Sequence, residues 1–258
     1  MAKSSDNAAS INRAMEVFVR GYSFTRSFTH PYHPQQMAQA WVVRDTPRKR
    51  GADYRREEWV GAQIAPAELD ALARENARGH FCICAIVPEG QNDGPLRAAY
   101  KSLGYRLGTS EFLMAHRLKS IPKFPEPFPI ERVLSADLAD RLTKSAGQRQ
   151  ILPVHLHADA PLRQYVALDN ERPTGWVRSI AVDDATWVSN MHVLPKYRRR
   201  GIGKSLLARM LRDDRKLGSK VSVLMASHAG AMLYPVVGYE MLGKLLVYTP
   251  IRRLTDGR

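Results

Sequence analysis

The sequence predicts a mixed α/β fold that is built from two similar halves. Segments rich in β-branched and aromatic residues alternate along the chain with segments whose apolar residues recur at helical spacing. The clearest strand, residues 186–193, runs through a glycine-containing turn into the clearest helix. The interval from Tyr100 to Gly104 also recurs between Tyr234 and Gly238, which indicates an internal repeat.

The first half begins with small polar residues and continues with alternating helices and strands. The first ten residues predict a disordered segment, and a short helix follows over 11–20. Residues 41–43 predict a strand, and Pro66 suits the first turn of the next helix. A strand over 80–87 comes before a turn-rich stretch and the segment 96–105, which carries the first copy of the repeat.

A proline-rich segment separates the two halves. Residues 120–129 contain four prolines, a composition that favours a stiff and extended linker. We therefore predict one domain over residues 1–119, the linker over 120–129, and a second domain over 130–258.

The second half predicts a strand, a helix and a hairpin before the glycine turn. A short strand over 130–133 leads to a helix that ends near residue 146, with Ser135 placed to cap it. The hairpin pairs residues 164–168 with residues 175–180. After the glycine turn, the helix ends near Gly218 and a further strand covers residues 221–227.

The turn between the strand 186–193 and the helix has the properties of an anion site. The first N–H groups of a helix have no partner within it and point in one direction, and the helix dipole adds positive potential. Gly201 and Gly203 carry no side chains that would keep a phosphate away from these groups. The cationic side chains of the turn are those of Arg198, Arg199, Arg200 and Lys204.

Two common phosphate-binding motifs do not match this turn. A Walker loop requires a glycine where Arg198 stands, and a dinucleotide-binding fingerprint requires one where Leu206 stands. The pattern that does match is Arg-x-x-Gly-x-Gly, formed by Arg198, Gly201 and Gly203.

With this motif the chain resembles the GNAT superfamily of acyl-CoA-dependent N-acyltransferases, in which the same pattern binds the pyrophosphate of coenzyme A. The strand 221–227 and the sequence Leu233-Tyr234, followed by Gly238-Tyr239, lie at the distances that the family shows. The resemblance covers about the C-terminal half of the chain. It implies two GNAT-like domains, each a twisted and mostly antiparallel sheet with helices on both faces.

The resemblance also implies a co-substrate and the residues that bind it. Acetyl-CoA is the implied acyl donor, with its pantetheine arm along the strand end and its pyrophosphate at the amides of the turn. Tyr234 is the implied proton donor to the departing thiolate. The implied coenzyme-binding residues are Met191, His192, Val193, Arg198, Arg199, Arg200, Gly201, Ile202, Gly203, Lys204 and Ser205.

The sequence leaves the general base open. His192 and Asn190 alternate along the strand and are predicted to share one face, and a histidine can accept a proton near neutral pH. A base that acts through water, or an amine that arrives neutral, fits the sequence equally well. The loop residues His155 and His157, and His228 after the next strand, are weaker candidates.

The first half lacks the coenzyme-binding pattern. At the position of the glycine turn we place residues 54–61, which have no Gly-x-Gly and contain Glu57 and Glu58. We therefore predict that this half has lost the coenzyme and that Tyr100 has a structural role.

Composition and charge exclude several other classes. The net charge of +14 raises nucleic-acid binding as an alternative, yet the basic residues are dispersed and no nucleic-acid-binding motif accompanies them. The sequence predicts no membrane-spanning segment and no signal peptide, and so a cytoplasmic protein. Cys82 and Cys84 are predicted to be buried thiols, and no metal site is indicated.

The leading functional hypothesis is an N-acetyltransferase that uses acetyl-CoA. A non-catalytic protein that binds or senses acyl-CoA is the alternative, since it would keep the turn and need no acid. Nucleic-acid association through the basic surface is a third. The acceptor is a small-molecule or protein amine, and the sequence leaves its identity and the oligomeric state open.

Overall fold

A computed structural model describes residues 2–26, 34–44 and 57–251. Its contacts divide the chain into two compact units. Unit 1 combines the residues up to Leu113 with the segment that starts at Met241, and unit 2 is Met114–Glu240.

The elements in chain order are α1 (Ala2–Arg26), β1 (Gln35–Met37), β2 (Ala40–Val43), β3 (Glu57–Ala62), α2 (Pro66–Asn76), β4 (Phe81–Pro88), α3 (Gly94–Ser102), β5 (Tyr105–His116), β6 (Ile130–Arg132), α4 (Ala136–Ala146), β7 (Leu162–Asp169), β8 (Arg172–Val182), β9 (Ala185–Val193), α5 (Ile202–Lys216), β10 (Val221–Ala226), α6 (Tyr234–Val237) and β11 (Glu240–Pro250).

The sheet of unit 1 has the strand order β1-β2-β3-β4-β11-β5. Strands β3 and β4 are parallel and are joined through α2, whereas the pairs β1/β2, β2/β3 and β4/β11 are antiparallel. Trp59, Tyr100 and Tyr248 lie in one buried cluster, where the rings of Tyr100 and Tyr248 stack at 4.4 Å between centroids. Tyr100 is fully buried in this core, as a structural role requires.

Two predictions for the N-terminal half are wrong. Helix α1 begins at Ala2, so the first residues are helical and not disordered. Residues 57–61 form part of β3, and residues 54–56 lie outside the described part of the chain, so the strand-to-helix turn comes later, at 63–65. There α2 starts with Pro66, which has no N–H group to offer an anion.

Glu57 is part of the core of unit 1 and not of a ligand site. It is fully buried, pairs with Arg44 at 3.2 Å and accepts a hydrogen bond from the N–H of Arg78 at 2.6 Å. The neighbouring Cys82 and Cys84 are both buried, as predicted.

The sheet of unit 2 has the strand order β10-β9-β8-β7-β6. Strands β9 and β10 are parallel and are joined through α5, and the other recorded pairs are antiparallel. Helix α5 packs against β7, β8 and β9, and α4 packs against β8. The Ser135 hydroxyl caps α4 by accepting a hydrogen bond from the N–H of Leu138 at 3.3 Å. These elements confirm the predicted mixed α/β class with mostly antiparallel pairing.

The compact units divide the chain differently from the predicted domains. Strand β11 belongs to unit 1 because it pairs with β4 over six residues, from Gly243 to Tyr248. The proline-rich segment belongs to unit 2, where Arg212 of α5 pairs with Glu126 at 3.6 Å and donates to the carbonyl of Pro122 at 3.4 Å. The segment 120–129 is therefore attached to α5 by specific contacts.

A buried ion pair connects α5 to the sheet of unit 2. The Asp214 carboxylate lies 2.9 Å from the Arg163 guanidinium and accepts a hydrogen bond from the Ser179 hydroxyl at 2.8 Å. Asp214 is fully buried and Arg163 is 6% exposed. Within residues 2–26, 34–44 and 57–251, no helix combines the length and apolar character that crossing a membrane requires.

We expect Arg163→Met to lower the free energy of unfolding by about 3–5 kcal/mol, because it leaves the Asp214 carboxylate buried without its cation. Chemical denaturation followed by circular dichroism measures this loss. The matched control is Lys220→Ala, which removes a pair with Asp184 of 3.2 Å whose side chains are 76% and 49% exposed. The control should cost at most about 1 kcal/mol, and equal losses for both variants would contradict a structural role for the buried pair.

We also expect unit 2 to lose stability in mild acid through His116. Its Nδ1 accepts from the N–H of Leu118 at 2.9 Å, so Nε2 carries the proton and donates to the carbonyl of Val237 at 3.1 Å. Burial lowers the pKa of His116, although the Val237 carbonyl and Glu240 act in the opposite direction.

The folded state therefore holds His116 neutral. Its contribution is complete above the unfolded pKa of about 6.5 and is lost as pH falls from there through the lower folded pKa, by at most about 1.4 kcal/mol per pH unit. His116→Asn keeps an acceptor for the Leu118 N–H and does not titrate. Unfolding measured between pH 5 and 7.5 should show a shallower pH dependence for this variant, and an unchanged dependence would exclude His116 as the cause.

Candidate active site

The turn between β9 and α5 leaves helix amides available to a ligand. Arg199 and Gly201 have left-handed backbone conformations, with φ of 61° and 84°. The first hydrogen bond of α5 runs from the N–H of Ser205 to the carbonyl of Gly201 at 3.1 Å. The N–H groups of Ile202, Gly203 and Lys204 come before this bond, at the positive end of a helix of 15 residues.

Three of the four cationic side chains of the turn are held by neighbouring groups. Arg198 donates to the carbonyl of Val193 at 3.0 Å, and the Arg200 guanidinium lies over the ring of Tyr197 at 5.5 Å. The Lys204 ammonium lies over the ring of Phe124 at 4.9 Å. These contacts keep positive charge around the helix start without neutralising it.

Ser205 differs from the other residues of the motif. Its N–H is used in the first helical bond, and its buried hydroxyl donates to the carbonyl of Ile202 at 3.0 Å. Both donors serve α5 itself, so Ser205 does not offer a hydrogen bond to a ligand.

A β-bulge alters the end of β9. Trp176 of β8 pairs with His192 while Arg178 pairs with Ser189, so β9 has one more residue than its partner between these pairs. Asn190 lies in the bulge with φ of 54°. Simple alternation is therefore interrupted between Asn190 and His192, although alternation was the basis for placing them on one face.

The bulge assigns the residues around it to two sides of the sheet. A side chain at Gly175 would contact Ile202 and Leu206 of α5, so the next residue, Trp176, lies on the opposite face. The ring of His192 stacks on Trp176 at 4.7 Å and 25°, which places His192 on that opposite face as well. Met191 points toward α5, with its terminal methyl 3.1 Å from the position of a Cβ at Gly203.

His192 is held in the form that can accept a proton. Partial burial lowers its pKa, and the positive charge of Arg198 lowers it further. A histidine with a pKa below its usual value of about 6.5 is neutral at physiological pH.

Tyr234 lies close to the start of α5. It is the first residue of α6, is 8% exposed, and packs its ring edge-on against Tyr239 with 5.7 Å between centroids. Its neighbour Leu233 comes within 3.2 Å of the position of a Cβ at Gly203. The sequence motif and the tyrosine, which are 31 positions apart when counted from Gly203 to Tyr234, are thus brought together by the β9–α5–β10 crossover.

The other histidine candidates lie in different parts of unit 2. Burial lowers the pKa of His155 most, and the nearby His157 and Arg178 lower it further. His228 lies on the exposed turn after β10. Within the described residues, no group of three His, Cys, Asp or Glu side chains has an arrangement that could hold a metal ion.

Sequence reasoning missed a polar group on the face of β8 that carries Trp176. Arg178 is 6% exposed and donates to Gln150 and Gln164, and Gln150 is also in contact with Asn190 of the bulge. The available signal was a charged residue, Arg178, within the largely apolar strand 175–182.

Comparisons with known proteins agree with this geometry. Residues 161–241 match the family model described as the acetyltransferase (GNAT) domain. A GCN5-related N-acetyltransferase from Kribbella flavida superposes with a TM-score of 0.64 at 17% identity, covering 94% of this chain and 97% of that one. One from Sphaerobacter thermophilus gives a TM-score of 0.58 at 18% identity, covering 84% and 79% of the two chains.

A tandem GNAT protein from the clavulanic acid biosynthesis pathway gives a TM-score of 0.50 at 14% identity, covering 95% of this chain and 94% of that one. At these identities the structural matches show the fold alone, and no curated protein sequence matches the chain. Residues 161–241 of unit 2 therefore match a GNAT acetyltransferase domain, and the chain as a whole is similar in fold to these solved structures.

Proposed function

We propose that this protein is an N-acetyltransferase that transfers an acetyl group from acetyl-CoA to a primary amine by direct attack, with its active site in unit 2. The observation that carries the proposal is the set of available amides at Ile202, Gly203 and Lys204, close to the residue before Tyr234. The family that the domain belongs to makes acyl transfer the expected class of reaction.

The residues of the turn fit the diphosphate of coenzyme A. Backbone N–H groups at a helix start bind phosphate oxygens well, and the dipole favours the negative charge. Gly201 and Gly203 permit close approach, and Arg198, Arg199 and Arg200 add positive potential around the amides. The backbone of Met191, His192 and Val193, at the end of β9, is the proposed partner of the pantetheine arm.

The coenzyme supplies the acetyl group as a thioester and leaves as a thiol. The amine nitrogen forms a bond to the carbonyl carbon, the carbon–sulfur bond breaks, the nitrogen loses one proton and the sulfur gains one. His192 is the proposed acceptor of the first proton, because its pKa is lowered and it is neutral at physiological pH. Tyr234 is the proposed donor of the second, because a phenol stays protonated at neutral pH and can donate to a thiolate.

We expect Tyr234→Phe to lower kcat by about 10²–10⁴-fold, as removal of a general acid does. The dissociation constant for coenzyme A should stay within about twofold, because the variant keeps the ring that packs on Tyr239. A thiol-release assay and calorimetry measure the two quantities.

The matched control is Tyr165→Phe, which removes a buried phenolic hydroxyl that has no hydrogen-bond partner among the described residues. It should retain full turnover. A Tyr234→Phe variant with normal kcat would remove Tyr234 from the mechanism. Tight coenzyme binding without turnover on any amine by the unaltered protein would instead support the acyl-CoA-sensing alternative.

We expect Gly201→Ala to weaken coenzyme A binding about tenfold or more, equivalent to about 1.4 kcal/mol. A Cβ at this position lies 3.2 Å from the Lys204 side chain, and the residue has a left-handed φ of 84°, so the turn must change shape. Gly147→Ala is the control, since Gly147 has φ of 71° with open space around its Cβ position and ends α4. If both variants bound coenzyme A equally, the turn would not be the diphosphate site.

A further inference from the structure

A hydrogen-bonded cluster of polar side chains lies beside the bulge, on the face of unit 2 that carries His192. The Arg178 guanidinium donates to the carbonyl of Gln150 at 2.8 Å, to the Gln150 side-chain oxygen at 3.3 Å and to the Gln164 side-chain oxygen at 3.2 Å. The Asn190 amide, which is exposed, contacts the same side-chain oxygen of Gln150. The loop after α4 and the bulge of β9 are thus joined through one glutamine.

The fixed charge of this group is positive. Burial lowers the pKa of Arg178 to about 10, so the guanidinium stays protonated at neutral pH. The amide and carbonyl oxygens of Gln150 and Gln164 orient it but do not cancel its charge. Beyond the effect of burial, the positive charge of Arg198 lowers the pKa of His192, and those of His157 and Arg178 lower the pKa of His155.

Two hydrogen-bonding groups on the same face have no partner. The indole N–H of Trp176 and the hydroxyl of Ser189 are buried, and neither has a hydrogen-bond partner among the described residues. Trp176 and Arg178 are two residues apart on β8, and Ser189 is the cross-strand partner of Arg178. An indole N–H can only donate, so it requires an acceptor such as a carboxylate or phosphate oxygen.

These groups lie next to the proposed base. His192 is the cross-strand partner of Trp176, so Arg178 is its diagonal neighbour at about 7–8 Å between backbones. A molecule whose amine reaches His192 therefore has its next few atoms beside Trp176, Ser189 and the field of Arg178.

We infer that the acceptor is an amine that carries an anionic group, a carboxylate or a phosphate, within a few bonds of its nitrogen, and not a polyamine or a lysine-rich protein segment. This inference rests on the proposed acetyltransferase function and names its substrate class. The positive field of Arg178 attracts the anionic group, and the Trp176 N–H and Ser189 hydroxyl donate to its oxygens.

The same field assists the chemistry. A nearby positive charge disfavours the ammonium form of the bound amine and so releases the neutral nucleophile at lower pH. The bound ammonium group is therefore a stronger acid than it is in water, and it gives its proton to His192 more readily. A polyamine brings further positive charges into this field and is repelled by it.

The test compares amines that differ only in charge. Purified full-length protein is assayed by thiol release with glycine against glycinamide, β-alanine against its amide, and phosphoethanolamine against ethanolamine, with spermidine and a lysine-rich peptide as cationic acceptors. We expect kcat/KM to be at least about tenfold higher for the anionic member of a pair, a factor that corresponds to about 1.4 kcal/mol. The two anion types distinguish a carboxylate from a phosphate acceptor.

The use of amino-acid amides as the neutral partners makes this comparison stringent. The amine of an amino-acid amide is less basic than that of the acid, so more of it is neutral at pH 7 and chemistry alone favours the amide. Higher kcat/KM for glycinamide, ethanolamine or spermidine would overturn the inference and leave the acetyltransferase function standing. Coenzyme binding with no turnover of any acceptor would refute the function itself, and this inference with it.

A pair of variants assigns the preference to Arg178. Arg178→Gln should bring the acid-to-amide ratio of kcat/KM down toward one, and Arg178→Lys should keep most of the preference because it keeps the charge. Coenzyme A affinity checks that each variant is folded. An unchanged ratio in a folded Arg178→Gln variant would show that Arg178 does not select the acceptor.

Discussion

The proposed chemistry depends on hydrogen-bond donors that α5 cannot use itself. Strands β9 and β10 are parallel, so the chain must cross from the end of one to the start of the other through a helix. That helix begins after the turn that follows β9, and its first amides point away from their own helix. A left-handed residue at Gly201 gives the chain the tight turn that aims them. The position of Leu233, and with it Tyr234, follows from the same crossover.

Unit 1 contains the same kind of crossover with a different helix start. Strands β3 and β4 are parallel and joined by α2, yet α2 starts at Pro66. Proline has no N–H, so the first residue of α2 offers no donor, whereas the first residue of α5, Ile202, does. The fully buried Tyr100 matches this difference, since its ring packs in the core of unit 1. One architecture therefore supplies the proposed binding turn in unit 2 and a helix that starts with proline in unit 1.

The bulge at Asn190 separates two roles on one strand. Its extra residue keeps Ser189 and His192 on one face, so Met191 points to the start of α5 while His192 stacks on Trp176 on the opposite face. The proposed coenzyme side and the proposed acceptor side are thereby only one residue apart. A regular strand would have placed His192 on the α5 face, away from Arg178 and Gln150.

Local signals in the sequence predicted much of this structure. The strand, the glycines and the apolar helix face lie within 30 residues of one another, so the turn of unit 2 could be read directly, as could the Ser135 cap and the hairpin of β7 and β8. The start of α1, the turn of unit 1 and the pairing of β11 with β4 could not, because they depend on tertiary packing and long-range pairing. Asn190 gives no distinct bulge signal in the sequence, and the hydrogen-bond partners of Arg178, Gln150 and Gln164, come from two other segments of the chain.

The most direct measurement of the central claim is calorimetric titration of the unaltered protein with coenzyme A and with pantetheine, which has the same thiol arm and no diphosphate. If the amides of Ile202, Gly203 and Lys204 hold the diphosphate, coenzyme A should bind at least about a hundredfold more tightly, a difference of about 2.7 kcal/mol. Equal affinities for the two molecules would contradict the account.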